Sequence, residues 1–126
     1  MEKECIQAKT APAAIGPYSH AIRAGALVFC SGQLGIDPST GDLVEGIEAQ
    51  TNQALRNLVS VLEACSCTVA NLVKTTIFLK DMNNFPKVNE IYAGYFDGDF
   101  PARSAIQVAA LPKNALVEIE AIAYKQ

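Results

Sequence analysis

Apolar residues recur along this chain with two different periods, and each change of period marks a predicted element. From Gly46 the spacing is helical, which predicts an amphipathic helix of about 18 residues. Its apolar stripe consists of Ile47, Thr51, Ala54, Leu55, Leu58, Val61, Leu62 and Cys65. A second helix is predicted from the positions of Phe85, Val88, Tyr92, Tyr95 and Phe96. Because Pro86 fits only the first turn of a helix, Asn84 or Asn83 is its expected N-cap.

A period of two, with many β-branched residues, predicts five strands. Their approximate bounds are 18–24, 27–33, 73–80, 103–109 and 116–124. The segment DPSTGD, residues 37–42, is dense in turn-forming residues and ends the first hairpin region. The order β-β-α-β-α-β-β predicts one α+β domain over residues 1–126, with both helices on one face of a sheet.

The composition bears on what covers the other face of that sheet. Half of the 126 residues are hydrophobic and only 18% are charged, below the roughly 25% that is typical of soluble domains. We therefore expect another copy of the chain to cover the sheet; a compact monomer with a rich core is the alternative. The net charge of −3 disfavours nucleic acid as a partner, because affinity for phosphates comes from clustered Lys and Arg.

Membrane, export and metal signals are weak. No apolar run approaches the ~20 residues that cross a bilayer, and the segment MEKECIQAKT lacks the apolar core of a signal peptide. The cysteines are Cys5, Cys30, Cys65 and Cys67, and the single histidine is His20. Because their spacing fits neither zinc ligation nor a disulfide framework, we expect reduced thiols, a cytoplasmic location and no metal.

Arg103 is the only charged residue in the segment FPARSAIQVAALP, residues 100–112. One face of the predicted strand carries Arg103, Ala105 and Gln107, and the opposite face carries Ser104, Ile106 and Val108. A guanidinium group stays charged at any ordinary pH, so a buried arginine requires an anion. The anion that would pair with Arg103 is therefore the question that this segment raises.

Glu118 and Glu120 lie on one face of the final strand, opposite Val117, Ile119 and Ala121. Each of the last two strands is thus predicted to have an apolar core face and a sparsely polar face. On spacing alone, a surface Arg–Glu pair across neighbouring strands is favoured, and such pairs contribute little stability. The other interpretation is a pocket in which arginine binds a carboxylate and glutamate transfers protons.

Other polar positions have less specific interpretations. Gly32 and Gly35 flank Gln33, and they either let backbone amides approach a ligand or form a bulge and a turn. His20 lacks the partners of a hydrolase triad and is read as a polar strand residue. Asn89 by default faces solvent, and Tyr18 by default is an aromatic packing residue.

Five segments of the chain carry a specific set of residues in a specific order. They are APAAIGPYS (11–19), SGQLGIDPSTG (31–41), VKTTIFLKDMNNFPKVNEIYAGYF (73–96), FPARSAIQVAALPK (100–113) and VEIEAIA (117–123). Together they resemble the RidA/YjgF family of reactive enamine/imine intermediate deaminases. The resemblance spans the chain in order and spacing. It implies a chorismate-mutase-like α+β fold, a mixed sheet with two helices on one face, and a homotrimer. In that trimer the sheets form a central barrel and three pockets lie between subunits.

The resemblance also implies an activity and its residues. The activity is a cofactor-free hydrolysis of 2-aminoacrylate and 2-aminocrotonate, through their imines, to 2-oxo acids and ammonia. Arg103 matches the arginine that binds the substrate carboxylate, and Glu118 matches the acidic residue that positions water. Tyr18, Ser31 and Asn89 match polar residues of the pocket.

Two positions depart from the commonest family pattern. Ala105 stands where many members carry cysteine, so the mechanism here cannot use a thiol at this position, although its backbone can still contact substrate. His20 stands where glutamine is frequent. Two other functions are alternatives: a non-catalytic protein that binds small carboxylates, and an endoribonuclease or translation inhibitor, which the acidic composition disfavours.

Overall fold

A six-stranded mixed sheet forms the frame of the molecule, which a computed structural model describes from residue 2 to residue 126. The strands are β1 (Lys3–Ile6), β2 (Ala21–Ala24), β3 (Leu27–Leu34), β4 (Leu72–Leu79), β5 (Ala102–Gln107) and β6 (Val117–Tyr124). The helices are α1 (Ile47–Ala64) and α2 (Phe85–Ala93). The strand order is β1-β2-β3-β6-β4-β5. Among the strand pairs of residues 2–126, only β4–β5 is parallel.

The sequence pattern missed one strand and misplaced the start of another. β1 pairs with β2 in the register Lys3 to Ala24. Three of its four residues are exposed, so it has no apolar alternation to detect. The strand predicted at 18–24 begins at Ala21, because the chain at His20 turns its side chain inward to bond the N-terminal segment.

The core lies between one face of the sheet and the two helices, as predicted. On β6 the alternation places Val117, Ile119 and Ala121 in the core, whereas Glu120 is exposed and Glu118 half-buried on the other face. α1 has the expected 18 residues, and its apolar stripe is buried against the sheet. This layer is formed by apolar burial, the main driving force of folding.

α2 is shorter than predicted. It ends at Ala93, and Gly94 occupies its C-cap, consistent with the low helix propensity of glycine. Tyr95 and Phe96 lie beyond the helix but still pack against the core. At its start, Asn84 holds the N-cap position without a side-chain bond. Asp81 instead caps the preceding turn, accepting a hydrogen bond from the backbone N–H of Asn83 at 2.9 Å.

The prediction for the two faces of β5 is wrong. Arg103 and Ala105 face the helix layer, whereas Ser104 and Ile106 are exposed. The alternation alone could not decide this orientation, because Ala105 makes the arginine-bearing face nearly as apolar as the other. The helix layer admits the guanidinium because α2 offers it a polar partner and aromatic rings.

The face of the sheet opposite the helices carries large apolar side chains that are exposed. They are Leu27, Phe29, Ile106 and Tyr124, and they come from three strands. An apolar patch of this kind usually marks an interface, so cover by another copy of the chain stays our prediction. Within residues 2–126 no helix combines the length and apolar composition that spanning a membrane requires.

One buried polar residue ties α1 to the chain that follows β3. Asn57 is 1% exposed. Its Nδ2 donates to the backbone oxygens of Leu34, at 3.0 Å, and Ile36, at 2.8 Å. These two backbone oxygens therefore receive their hydrogen bonds from α1, which fixes the path of the segment leaving β3.

We expect Asn57→Leu, which has a similar volume, to lower the free energy of unfolding by about 2–4 kcal/mol, because buried carbonyl groups lose their donor. Urea unfolding at one fixed protein concentration measures this loss. Arg56→Ala, an exposed change on the same helix, should stay within about 0.5 kcal/mol of wild type. Equal stability of Asn57→Leu and wild type would contradict the assigned role.

Candidate active site

The predicted site residues are divided between two separate cavities. The first, of about 530 Å³, is lined by Tyr18, Ser31 and Glu118. The second, of about 460 Å³, is lined by Asn89 and Arg103. In one chain, therefore, the predicted carboxylate-binding group and the predicted acid–base group do not share a cavity.

A β-bulge in β3 builds the floor of the first cavity. The register between β3 and β6 shifts between Cys30 and Gln33, so Gly32 marks a bulge, as one of its two interpretations predicted. A Cβ added at Gly32 would lie 2.5 Å from Oε2 of Glu118. The absence of a side chain there makes room for the Glu118 carboxyl group.

Ser31 and Tyr18 lie on the walls around this carboxyl group. The hydroxyl of Ser31 donates to the backbone oxygen of Ser19 at 2.6 Å, which fixes its position beside the bulge. Tyr18 is 46% exposed, so it lines the cavity instead of filling the core. The default interpretation of Tyr18 as a packing residue is wrong.

Glu118 is half-buried, and its environment favours the protonated form. Burial raises the pKa of Glu118 above its ordinary value, and the negative charge of Glu120 raises it further. A carboxyl group whose pKa is moved toward neutrality is suited to exchange protons with a reacting molecule. Glu118 therefore has the property of an acid–base group, and geometry places it in a cavity.

His20 holds the N-terminal segment, part of which lines the first cavity. It is 3% exposed, and its Nδ1 accepts a hydrogen bond from the backbone N–H of Ala8 at 2.8 Å. Nε2 then carries the proton and donates to the backbone oxygen of Pro12 at 2.8 Å. His20 precedes β2, so the expectation of a polar strand residue is wrong; it holds the segment that leads to Tyr18.

Arg103 occupies the second cavity and contacts α2. Its Nη1 donates to Oδ1 of Asn89 at 2.6 Å, so the default of a solvent-facing asparagine is wrong. The guanidinium carbon lies 5.2 Å from the ring centre of Phe85 and 5.1 Å from that of Tyr92. The sequence pattern did not point to these two rings as site residues, although their spacing places Phe85, Asn89 and Tyr92 on one helix face.

No carboxylate neutralises this guanidinium within the described chain. The one ion pair between residues 2 and 126 joins Lys87 to Glu90 at 3.6 Å. Arginine carries five N–H donors in a planar fork that matches a carboxylate. With Nη1 bonded to a neutral amide, Arg103 has the charge and the donors to bind an anion that comes from outside the chain.

The prediction that Arg103 and Glu118 form a pair across neighbouring strands is wrong, because β4 lies between β5 and β6. On the helix side, Arg103 stands beside Thr75. On the other side, Glu118 stands beside Phe78, which pairs with Ile106. The two charged groups therefore project from opposite faces of one sheet.

Ala105 lies on the same side of β5 as Arg103, two residues further along the strand. It is partly buried and packs against the core, and its neighbour in register is Ile77 of β4. The position is thus close to Arg103 in the strand but supplies only a methyl group.

The chain is similar to known proteins over nearly its full length. The model of the family described as endoribonuclease L-PSP matches residues 8–125. The 2-iminobutanoate/2-iminopropanoate deaminase of Mus musculus is 53% identical, over 96% of this chain and 90% of its own. A crystal structure of a conserved Rid family protein from Yersinia pestis is 54% identical, with a TM-score of 0.95, over 98% of this chain and 99% of its own. E. coli TdcF, solved with bound serine, is 38% identical, with a TM-score of 0.94, over 98% of this chain and 99% of its own.

We expect Glu120→Gln to lower the pKa of Glu118, because the substitution removes the negative charge that favours the protonated form. Burial remains, so the pKa should stay above the ordinary glutamate value. The carboxyl ¹³C chemical shift of Glu118, followed through a pH titration, measures this pKa in the wild type and in the variant. Glu90→Gln, on α2, serves as the control and should leave the Glu118 titration unchanged; an unchanged titration in Glu120→Gln would contradict the assignment.

Proposed function

The chain belongs to the RidA/YjgF family, and from this premise we propose that it is a 2-iminobutanoate/2-iminopropanoate deaminase. The proposed reaction hydrolyses small reactive imines, formed from 2-aminoacrylate and 2-aminocrotonate, to 2-oxo acids and ammonia. The observation that carries the proposal is the guanidinium of Arg103, which is partly buried, lines a cavity and has no carboxylate partner within residues 2–126. A 2-imino acid supplies that missing carboxylate.

The active site would form between copies of the chain. Arg103 and Glu118 project from opposite faces of the sheet, so a substrate can meet both only if they come from different subunits. The exposed apolar residues of the outer face supply the surface for such contact. We propose the homotrimer that the family resemblance implies, with each pocket joining the first cavity of one subunit to the second cavity of its neighbour.

In this pocket Arg103 would hold the substrate carboxylate through two parallel charge-assisted hydrogen bonds. This orients the imine carbon toward Glu118 and its water. The Glu118 carboxylate accepts a proton from this water as the water oxygen bonds to the carbon of the protonated imine, which gives a neutral carbinolamine. Protonated Glu118 then donates that proton to the nitrogen. As the C–N bond breaks, Glu118 accepts the hydroxyl proton of the carbinolamine and passes it to the departing ammonia, which leaves as ammonium while the 2-oxo acid forms.

These steps use carboxylate binding and proton transfer alone, so the proposed mechanism calls for no cofactor. Because residue 105 is alanine, no thiol can take part at this position. Since Glu118 must be ionised to accept the first proton, activity should fall as the pH drops through its raised pKa. Tyr18 and Ser31 would line the same pocket around the water and the substrate.

The family description also names endoribonuclease activity, and the residues support it less well. The chain has a net charge of −3 and one histidine. Both ring nitrogens of that residue, His20, are occupied by backbone groups in a buried position. A general acid–base role for it in RNA cleavage would require breaking these bonds.

We expect Arg103→Ala to lower kcat/KM by about 10²–10³-fold, because a carboxylate loses its charged partner. Ammonia release from freshly generated 2-aminoacrylate, in a coupled assay with a dehydratase, measures the effect. Lys87→Ala removes an exposed cation from the same helix region and should keep wild-type rates. Wild-type rates in Arg103→Ala would refute the proposed function, and carboxylate binding without turnover in wild type would favour a non-catalytic binding protein.

Mixing two inactive variants tests the division of the site between subunits. Glu118→Gln alone should lower kcat by about 10²–10⁴-fold, the usual contribution of an acid–base group. After Arg103→Ala and Glu118→Gln are unfolded together and refolded at equal amounts, every mixed trimer has one intact pocket. Activity should recover to about one quarter of wild type, as expected for random assembly around a threefold axis. Recovery would not occur if both residues of a pocket came from the same subunit.

A further inference from the structure

Arg103 lies in a gap between two aromatic rings on one face of α2. Phe85 and Tyr92 are seven residues apart, which corresponds to about 10.5 Å along a helix axis. The guanidinium carbon is 5.2 Å from one ring centre and 5.1 Å from the other. The guanidinium carbon is therefore about equally distant from both ring centres, and Nη1 donates to Oδ1 of Asn89, which lies between Phe85 and Tyr92 along the helix.

Tyr92 is itself fixed from the strand next to Arg103. Its hydroxyl lies 2.7 Å from Oγ1 of Thr75, and both residues are buried. Thr75 is the register partner of Arg103 on β4. On another side, Phe96 packs on the Tyr92 ring with 4.9 Å between ring centres. The Tyr92 ring therefore has little freedom to move away from the guanidinium.

Aromatic rings can hold a cation without neutralising it. A carboxylate in place of either ring would form an ion pair with Arg103 and compete with an incoming anion, whereas the face of a ring attracts the cation weakly. A long arginine side chain also loses rotamer freedom when it fixes a ligand. If the side chain is held before binding, less of that freedom remains to be lost.

We propose that Phe85 and Tyr92, the latter held by Thr75, are positioning residues for carboxylate recognition. Their rings keep the guanidinium of Arg103 in one orientation, with Asn89 on Nη1, in the cavity that Arg103 lines together with Phe100 and Pro101. The inference deepens the proposed function, and it rests on that function only for the identity of the carboxylate. The rings act through Arg103 and do not take part in the chemical steps.

The test measures binding of 2-oxobutanoate, a carboxylate that is not turned over, by calorimetry on the assembled wild-type protein and its variants. Phe85→Leu should weaken binding about tenfold, the effect of losing one ring beside a partly desolvated cation. Phe85→Tyr keeps a ring and should stay within about threefold of wild type. Thr75→Val, which releases the Tyr92 hydroxyl, should also weaken binding and provides a second route if Phe85→Leu does not fold.

Tyr95→Phe is the control: it removes a hydroxyl that donates to the backbone oxygen of Asn52, leaves both rings beside Arg103 in place and should keep wild-type binding of 2-oxobutanoate. In the deaminase assay, Phe85→Leu should raise KM with kcat nearly unchanged, because uniform binding is lost. Unchanged binding and KM in both Phe85→Leu and Thr75→Val would overturn the inference, and so would equal losses in Phe85→Tyr and Phe85→Leu. Ring-dependent binding without any deamination would leave the inference standing and refute the proposed function.

Discussion

The position of β4 between β5 and β6 is the constraint on which the site depends. Because β4 pairs with both strands, Arg103 and Glu118 belong to non-adjacent strands, and their register with β4 directs them to opposite faces of the sheet. A single chain thus presents the proposed anion-binding group on one side and the proposed proton-transferring group on the other. The proposed assembly follows from this separation, since only contact between copies can bring the two groups to one substrate.

The two halves of the site are held by different physical means. Glu118 depends on backbone shape: a bulge with a glycine makes room for its carboxyl group, and burial raises its pKa. Arg103 depends on side chains of α2, with an amide on one nitrogen and rings beside its carbon. Neither Arg103 nor Glu118 forms an ion pair within residues 2–126, so each charged group is free to contact a ligand, as a binding or catalytic site requires.

Some residues of the candidate site could not be predicted from the periodicity of the sequence, because their contacts are with residues far away in the chain. The positions of Phe85 and Tyr92 predict a helix, and their spacing is equally typical of a packed face. Their role beside Arg103 depends on a residue that is distant in sequence and that the pattern of β5 predicts on the face away from the helices. His20 was likewise an isolated polar residue until its ring nitrogens were seen to bond Ala8 and Pro12.

The sequence by itself determined the element types, the 18-residue length of α1 and the faces of β6, because apolar periodicity reports local geometry directly. It also determined the family, since long segments such as FPARSAIQVAALPK (100–113) carry specific residues in a specific order. Only the tertiary structure decided the strand order, the face on which Arg103 lies and the existence of β1. These features depend on pairing and packing between residues far apart in the chain, and a local pattern carries no information about such partners.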